Sequence, residues 1–226
     1  QGPFTASLAA RYRVAGNYTA VAHPSLPNYL ALTSGQTWGV RDDNYYVLPE
    51  GGIGQQLTAA GVSWRAYMEG MTSGQCLDSP LPYHVKHNPF AFYGGSCPDN
   101  VVPWDSLATD LQGNTPLFSW ITPDMCHDQH DCNVSTGDGW LRQTVGMITQ
   151  SKAWTANGML LIVWDEDDGS ADNSVLNLVV QPNRGHLVST QPYNHYSLLA
   201  TIEDTLGVGR LGQAAQAKTM TDLVAP

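Results

Sequence analysis

Five short stretches of the 226-residue chain concentrate side chains that can act on a substrate. In His23-Pro24-Ser25-Leu26-Pro27-Asn28-Tyr29, a hydroxyl sits on a turn between an apolar run and a helix-compatible segment, where backbone N–H groups and the helix dipole can receive an anion. Ser25 can serve there as a nucleophile, as the cap of a helix that Pro27 helps to start, or as both. Asp165-Glu166-Asp167-Asp168-Gly169 follows the most apolar run of the protein and offers adjacent carboxylates suited to a hard cation. Its Gly169 stands where a helix-loop-helix calcium site needs a carboxylate, so that type of site does not fit. Cys126-His127-Asp128-Gln129-His130-Asp131-Cys132 packs two imidazoles and two carboxylates into seven residues, a mixture that suits zinc or another divalent ion. Lys86-His87-Asn88-Pro89 adds a cation and an imidazole, and His195 stands ahead of an apolar stripe. A solvated polar surface explains any one of these. Together they supply a nucleophile, a metal to lower its pKa and cations to hold phosphoryl oxygens, which is what hydrolysis of a phosphoester requires.

The elements that must position these residues follow from the apolar pattern. Buried strands are expected at Tyr18–Ala22, Ser63–Met68, Leu117–Ile121, Leu160–Trp164 and Leu176–Val180, with helices at Asn28–Thr33, Gly52–Ala60, Trp140–Gln150 and Ser197–Leu206. Strands alternating with helices imply an α/β fold with a mainly parallel sheet sandwiched between helices. No repeat or Pro-rich linker interrupts the pattern, so residues 1–226 are expected to form one domain. In such sheets, sites form beyond the carboxyl ends of the strands. His23-Pro24-Ser25, Glu69, Pro123-Asp124 to Asp131 and Asp165 to Asp168 all stand at such ends. The sharpest expectation is that the Ser25 oxygen lies within about 5 Å of an Asp165 or Glu166 oxygen, close enough to share a cation.

Composition narrows the partners. Twenty acidic against ten basic residues give a net charge of -10, which disfavours a partner bound through many phosphates, so no nucleic acid is expected. The run Met159–Trp164 is far too short to span a membrane. Four cysteines allow three pairings. Loop-like surroundings favour Cys76 with Cys97 and Cys126 with Cys132, and hence an oxidising, extracellular setting, against a competing zinc site that uses Cys126 and Cys132 as thiolates. No Gly-x-Ser-x-Gly elbow is present, which argues against acyl transfer.

His23-Pro24-Ser25-Leu26-Pro27-Asn28-Tyr29-Leu30-Ala31, Lys86-His87-Asn88-Pro89-Phe90, His130-Asp131-Cys132, Trp164-Asp165-Glu166-Asp167-Asp168 and His195-Tyr196-Ser197-Leu198-Leu199 occur in that order and span most of the chain. In this the sequence resembles the phosphoesterase family of secreted acid phosphatases and bacterial phospholipases C, within the alkaline phosphatase-like superfamily. The resemblance implies Ser25 as nucleophile, with Lys86, His87 and His195 in the catalytic set. It implies Asn28 and Asn44 at the phosphoryl group, and a divalent ion (Mg, Ca, Mn or Zn) on Asp165 and Glu166 with Asp128 and His130 as further ligands. It also implies an opening strand ending in Glu-Asn that supplies a ligand, and no such pair precedes His23. The function expected is a secreted, metal-assisted phosphomonoesterase acting on small-molecule or lipid phosphate esters through a phosphoserine. The alternatives are a phosphodiesterase or phospholipase C, and a non-catalytic metal-binding module that keeps the fold.

Overall fold

Apolar residues two apart set the strands and those three or four apart set the helices, and a computed structural model describes the result for residues 2–78, 80–170 and 172–224. In chain order the elements are α1 (Pro3–Arg11), β1 (Arg13–Ala15), β2 (Tyr18–Thr19), α2 (Ser25–Ser34), α3 (Gly52–Ala59), β3 (Trp64–Met68), β4 (Val101–Pro103), α4 (Ser106–Gln112), β5 (Phe118–Thr122), α5 (Val134–Thr149), α6 (Lys152–Asn157), β6 (Leu160–Val163), β7 (Asn177–Val180), β8 (Leu187–Ser189), β9 (Tyr193–Asn194) and α7 (His195–Leu206).

The strands form three ladders, β6-β7-β1-β8, β4-β3-β5 and β2-β9. The pairings β1–β8, β2–β9, β3–β4 and β3–β5 are parallel, as the alternation of strands and helices predicts. Strand β7 is the departure, because it runs antiparallel to both β6 and β1. The connection between β6 and β7, residues 164–176, carries no helix among its described residues, and without a crossover element β7 runs back in the opposite direction.

Alternate residues serve opposite faces. In β7, Leu178 and Val180 pack with Leu8 of α1 and Val145 of α5, whereas Val179 joins the main core with Leu198 and Leu199 of α7. In β3, Trp64, Ala66 and Met68 face that main core and Tyr67 packs on Leu107 and Leu111 of α4. Both faces are therefore covered by helices. Helix α1 is held from outside its own length: Asp138 of α5 accepts hydrogen bonds from the Phe4 and Thr5 N–H groups at 2.9 and 2.7 Å, satisfying two free donors of the first turn.

Helix α2 lies deepest, and all ten of its residues are buried. Leu26 and Leu30 are fully enclosed, each contributing about 2 kcal/mol by leaving water. Gly35 ends the helix with φ of +68°, and a Cβ there would stand 2.2 Å from the Leu211 carbonyl oxygen, so only glycine allows the C-terminal segment to pass. The expected disulfides Cys76–Cys97 and Cys126–Cys132 are both formed, which removes the thiolate zinc alternative. Among the described residues, no helix is long and apolar enough to cross a membrane.

Candidate active site

Ser25 opens α2, and the approach to it is set by one side chain. The Asn28 Oδ1 accepts the N–H groups of Val21 and Ala22, both at 3.0 Å, while its Nδ2 donates to the carbonyls of Ala22 at 2.8 Å and Pro24 at 3.2 Å. These bonds take the backbone out of strand pairing, so β2 stops at Thr19 rather than running to Ala22. They also fully occupy the amide expected to hold substrate. Asn28 is instead the brace of the turn.

The acidic run after β6 reaches that turn from the other side. Asn173 ties the two together, accepting from the Asp167 N–H at 3.1 Å and donating to the Ala22 carbonyl at 2.7 Å. As a result the Ser25 hydroxyl donates to Glu166 Oε1 at 3.0 Å, although 141 residues separate them. His23, the residue before Pro24, contacts Glu166 Oε2 through Nδ1 and Asp167 Oδ1 through Nε2 at 3.2 Å. Burial and then the neighbouring Asp165 charge raise the Glu166 pKa, while bonds from His23 and Ser25 hold part of that rise back. Asp165 presents a buried Oδ2 with no hydrogen-bond partner.

His195 lies beneath Asp165 and is fully buried. Its Nε2 is 2.6 Å from the Asp165 carbonyl oxygen, which can only accept, so Nε2 carries the proton and Nδ1 accepts from the Tyr18 hydroxyl at 2.9 Å. Burial lowers its pKa to about 4 and keeps the ring neutral. Both nitrogens are engaged, so His195 reaches the site through the backbone of Asp165 and not as a group open to substrate.

A second group faces the same helix one turn on. Lys86, in the turn Val85–His87, places Nζ 3.1 Å from Asp43 Oδ2 and 3.0 Å from His130 Nε2. An ammonium only donates, so His130 accepts there and its Nδ1–H donates to Asp131 Oδ1 at 2.7 Å. Asp43 Oδ1 accepts the Leu26 N–H at 2.9 Å, which joins Lys86 to the start of α2. His87 stacks on Tyr29 with ring centres 5.0 Å apart and sets Nδ1 2.9 Å from Asp128 Oδ2. Its buried Nε2 has no partner. Tyr29 stands between the two groups: burial first, then the charges of Asp165, Asp128, Glu166 and Asp43, push its phenol pKa well up.

The four residues expected as metal ligands therefore fall in two groups. Asp165 and Glu166 stand at Ser25, whereas Asp128 and His130 stand with His87 and Lys86. Asn44 joins neither group. It is exposed and its N–H donates to Asp42 Oδ1 at 3.0 Å, while the adjacent Asp43 enters the site. His23, Asp43 and Tyr29 are the contributors that the sequence did not single out for a role. The first and last lie inside the Ser25 motif, and Asp43 lies one residue from Asn44. The hydroxyl of Ser25, the carboxylate of Glu166 and the buried unpartnered oxygen of Asp165 are hard oxygen donors facing an excess of negative charge, a set that fits a divalent cation.

Comparison with known proteins bears on the fold and the family. A protein of the alkaline phosphatase superfamily from Vibrio parahaemolyticus superposes with a TM-score of 0.68 at 11% identity, over 99% of this chain and 64% of that one, which establishes the fold. The profile of the phosphoesterase family matches residues 1–209, and the chain belongs to that family. A phosphatidylinositol-3-phosphatase of Mycobacterium tuberculosis is 30% identical over 98% of this chain and 75% of its own length. A phosphate-repressible acid phosphatase of Penicillium chrysogenum is 29% identical over 87% of this chain and 52% of its own, so the chain spans about half the length of that fungal relative.

Proposed function

We propose that the protein is a phosphomonoesterase in which the Ser25 oxygen attacks the phosphorus of a phosphate ester, the bond to the leaving alcohol breaks, and water then releases phosphate from the phosphoserine. The observation that carries this reading is the hydrogen bond of the Ser25 hydroxyl to Glu166 at 3.0 Å beside the unpartnered Asp165 oxygen. Asp165 and Glu166 are the residues that would hold a divalent ion, which would supply charge to favour the serine alkoxide. Glu166 lies in hydrogen-bond reach of the Ser25 proton, and His23, bonded to Glu166 and half exposed, connects it to solvent. Lys86 Nζ would hold a phosphoryl oxygen, and the partial positive charge at the start of α2 favours the same anion.

Several cationic or donor groups at one end of the site suit a monoester, which carries more charge than a diester, and both named relatives are phosphatases. His195 and Asn28 act here as positioning residues, and Asp128 fixes the His87 ring. Release outside the cytosol is supported by the pairing of all four cysteines. Hydrolysis of p-nitrophenyl phosphate after chelation and after return of Mg, Ca, Mn or Zn ions tests the reading. Acid-quenched turnover should leave a phosphorylated Ser25 peptide, and Ser25→Ala should remove both peptide and turnover while unfolding at the parent's temperature. A Ser25→Ala protein as active as the parent sinks the proposal.

A further inference from the structure

The ring closed by Cys126 and Cys132 faces two ways. Asp128 and His130 point to Lys86 and His87, whereas His127 turns to a different group formed with Glu69, which follows β3, and Asp124, which follows β5. Strands β3 and β5 are parallel neighbours in register, so their ends deliver both carboxylates to the same edge. His127 Nδ1 is 2.9 Å from Glu69 Oε2 and 3.3 Å from Asp124 Oδ1, and the candidate ligand atoms all lie within 4.8 Å of one another. A tetrahedral ion with bonds of ~2.0 to 2.2 Å needs its ligands ~3.3 to 3.6 Å apart, so His127 Nδ1 and Asp124 Oδ1 stand at that spacing, while Nδ1 and Glu69 Oε2, at hydrogen-bond distance, would separate by a few tenths of an ångström to admit it.

Three further features give the group the character of a built site. Trp140 Nε1 donates to Glu69 Oε1 at 2.9 Å and its ring stacks on His127, fixing both residues. The N–H groups of Cys126 and His127 donate to Asp124 Oδ1 at 3.0 and 2.9 Å, and the Asp124 N–H donates to Glu69 Oε2 at 3.0 Å, which fixes both carboxylates. The ion pairs of Glu69 and Asp124 among the described residues are to His127 alone, with no Lys or Arg to balance two half-buried or buried carboxylates. Among the described residues this is also where three ligand-type side chains gather most tightly.

We propose that Glu69, Asp124 and His127 form a second divalent-cation site, of the one-imidazole, two-carboxylate type that zinc takes, separate from the Ser25 pocket. An ion there pins the disulfide ring from behind and so positions Asp128 and His130 on its other side. The competing account of the same contacts is a His127 hydrogen-bonded between two carboxylates, with no ion at all.

Zinc titration by calorimetry on chelator-treated Asp165→Asn/Glu166→Gln protein separates this site from the catalytic one, so that the result does not depend on the reaction assigned to Ser25. One equivalent of zinc should bind, and adding His127→Ala or Glu69→Gln should weaken it by about 100-fold or more, with circular dichroism unchanged. X-ray absorption at the zinc edge of the doubly substituted parent gives a measurement that needs no change in the cluster, and should show one imidazole among oxygen donors. No zinc binding in that background, binding indifferent to both substitutions, or a shell of several imidazoles overturns the proposal.

Discussion

Replacing Asn28 by aspartate changes one group and separates two roles for this residue. The carboxylate keeps the acceptor for the Val21 and Ala22 N–H groups but loses both donor bonds, to the Ala22 carbonyl at 2.8 Å and the Pro24 carbonyl at 3.2 Å. Each lost bond removes about 1 kcal/mol, and setting a buried negative charge against two carbonyl oxygens adds at least as much, for a cost of about 3 kcal/mol. For a chain of this size that lowers Tm by roughly 6 to 12 °C. Turnover of p-nitrophenyl phosphate should fall with it, through kcat, because the turn that aims Ser25 at Glu166 is loosened. Thermal unfolding followed by circular dichroism, alongside the kinetics, gives both readouts. If Asn28→Asp unfolds at the parent's temperature and its only defect is a higher KM, Asn28 touches substrate and its assignment as a brace is wrong.

Other substitutions test the rest of the site and the fold. Lys86→Ala should raise KM for a phosphomonoester by about tenfold or more while the protein stays folded, because a charged hydrogen bond to a phosphoryl oxygen contributes about 1.5 to 3 kcal/mol; steady-state kinetics unchanged from the parent would make the Lys86–Asp43 pair purely structural. Glu203 in α7 is fully buried, and that burial lifts its carboxyl pKa to about 7 from 4.5. The folded state then binds this proton more tightly than the unfolded state, so stability falls as pH rises between 4.5 and 7 and is level above, a change of about 3 kcal/mol. Urea denaturation should show that slope in the parent and a flatter one in Glu203→Gln. Cys126→Ser with Cys132→Ser should lose about 2 kcal/mol of stability, the chain-entropy contribution of so small a ring, and should weaken competitive inhibition by inorganic phosphate, since Asp128 and His130 both ride on it.

The meeting of Ser25 with Glu166 was legible because each follows a strong apolar run, although the two runs lie in different ladders and Asn173, not a shared parallel sheet, ties their ends together. The local disulfides were legible from their loop surroundings. The direction of β7 was not: a run such as Leu-Val-Val reads the same whichever way it pairs, and what decides is whether the connection before it carries a helix. Strands β8 and β9, of three and two residues, are too short to show any period. At the site, residue type gave the chemistry of His195 and Asn28 but not their surroundings. An imidazole ahead of an apolar stripe looks the same whether its nitrogens face substrate or, as here, a tyrosine hydroxyl and a carbonyl. Asp43 and Asn44 differ by one position in an irregular loop, where no periodicity fixes which side chain turns inward.

The complete enclosure of α2 has a consequence for how this protein can change. Every residue from Ser25 to Ser34 is buried, so the element that presents the nucleophile has no exposed position at which variation is free. Acquisition of a new ester substrate must therefore be recruited from the segments that meet Ser25 from outside, around Asp43, Lys86 and the ring from Cys126 to Cys132. A selection for altered substrate choice should gather its accepted changes in those three segments and leave residues 25–34 untouched.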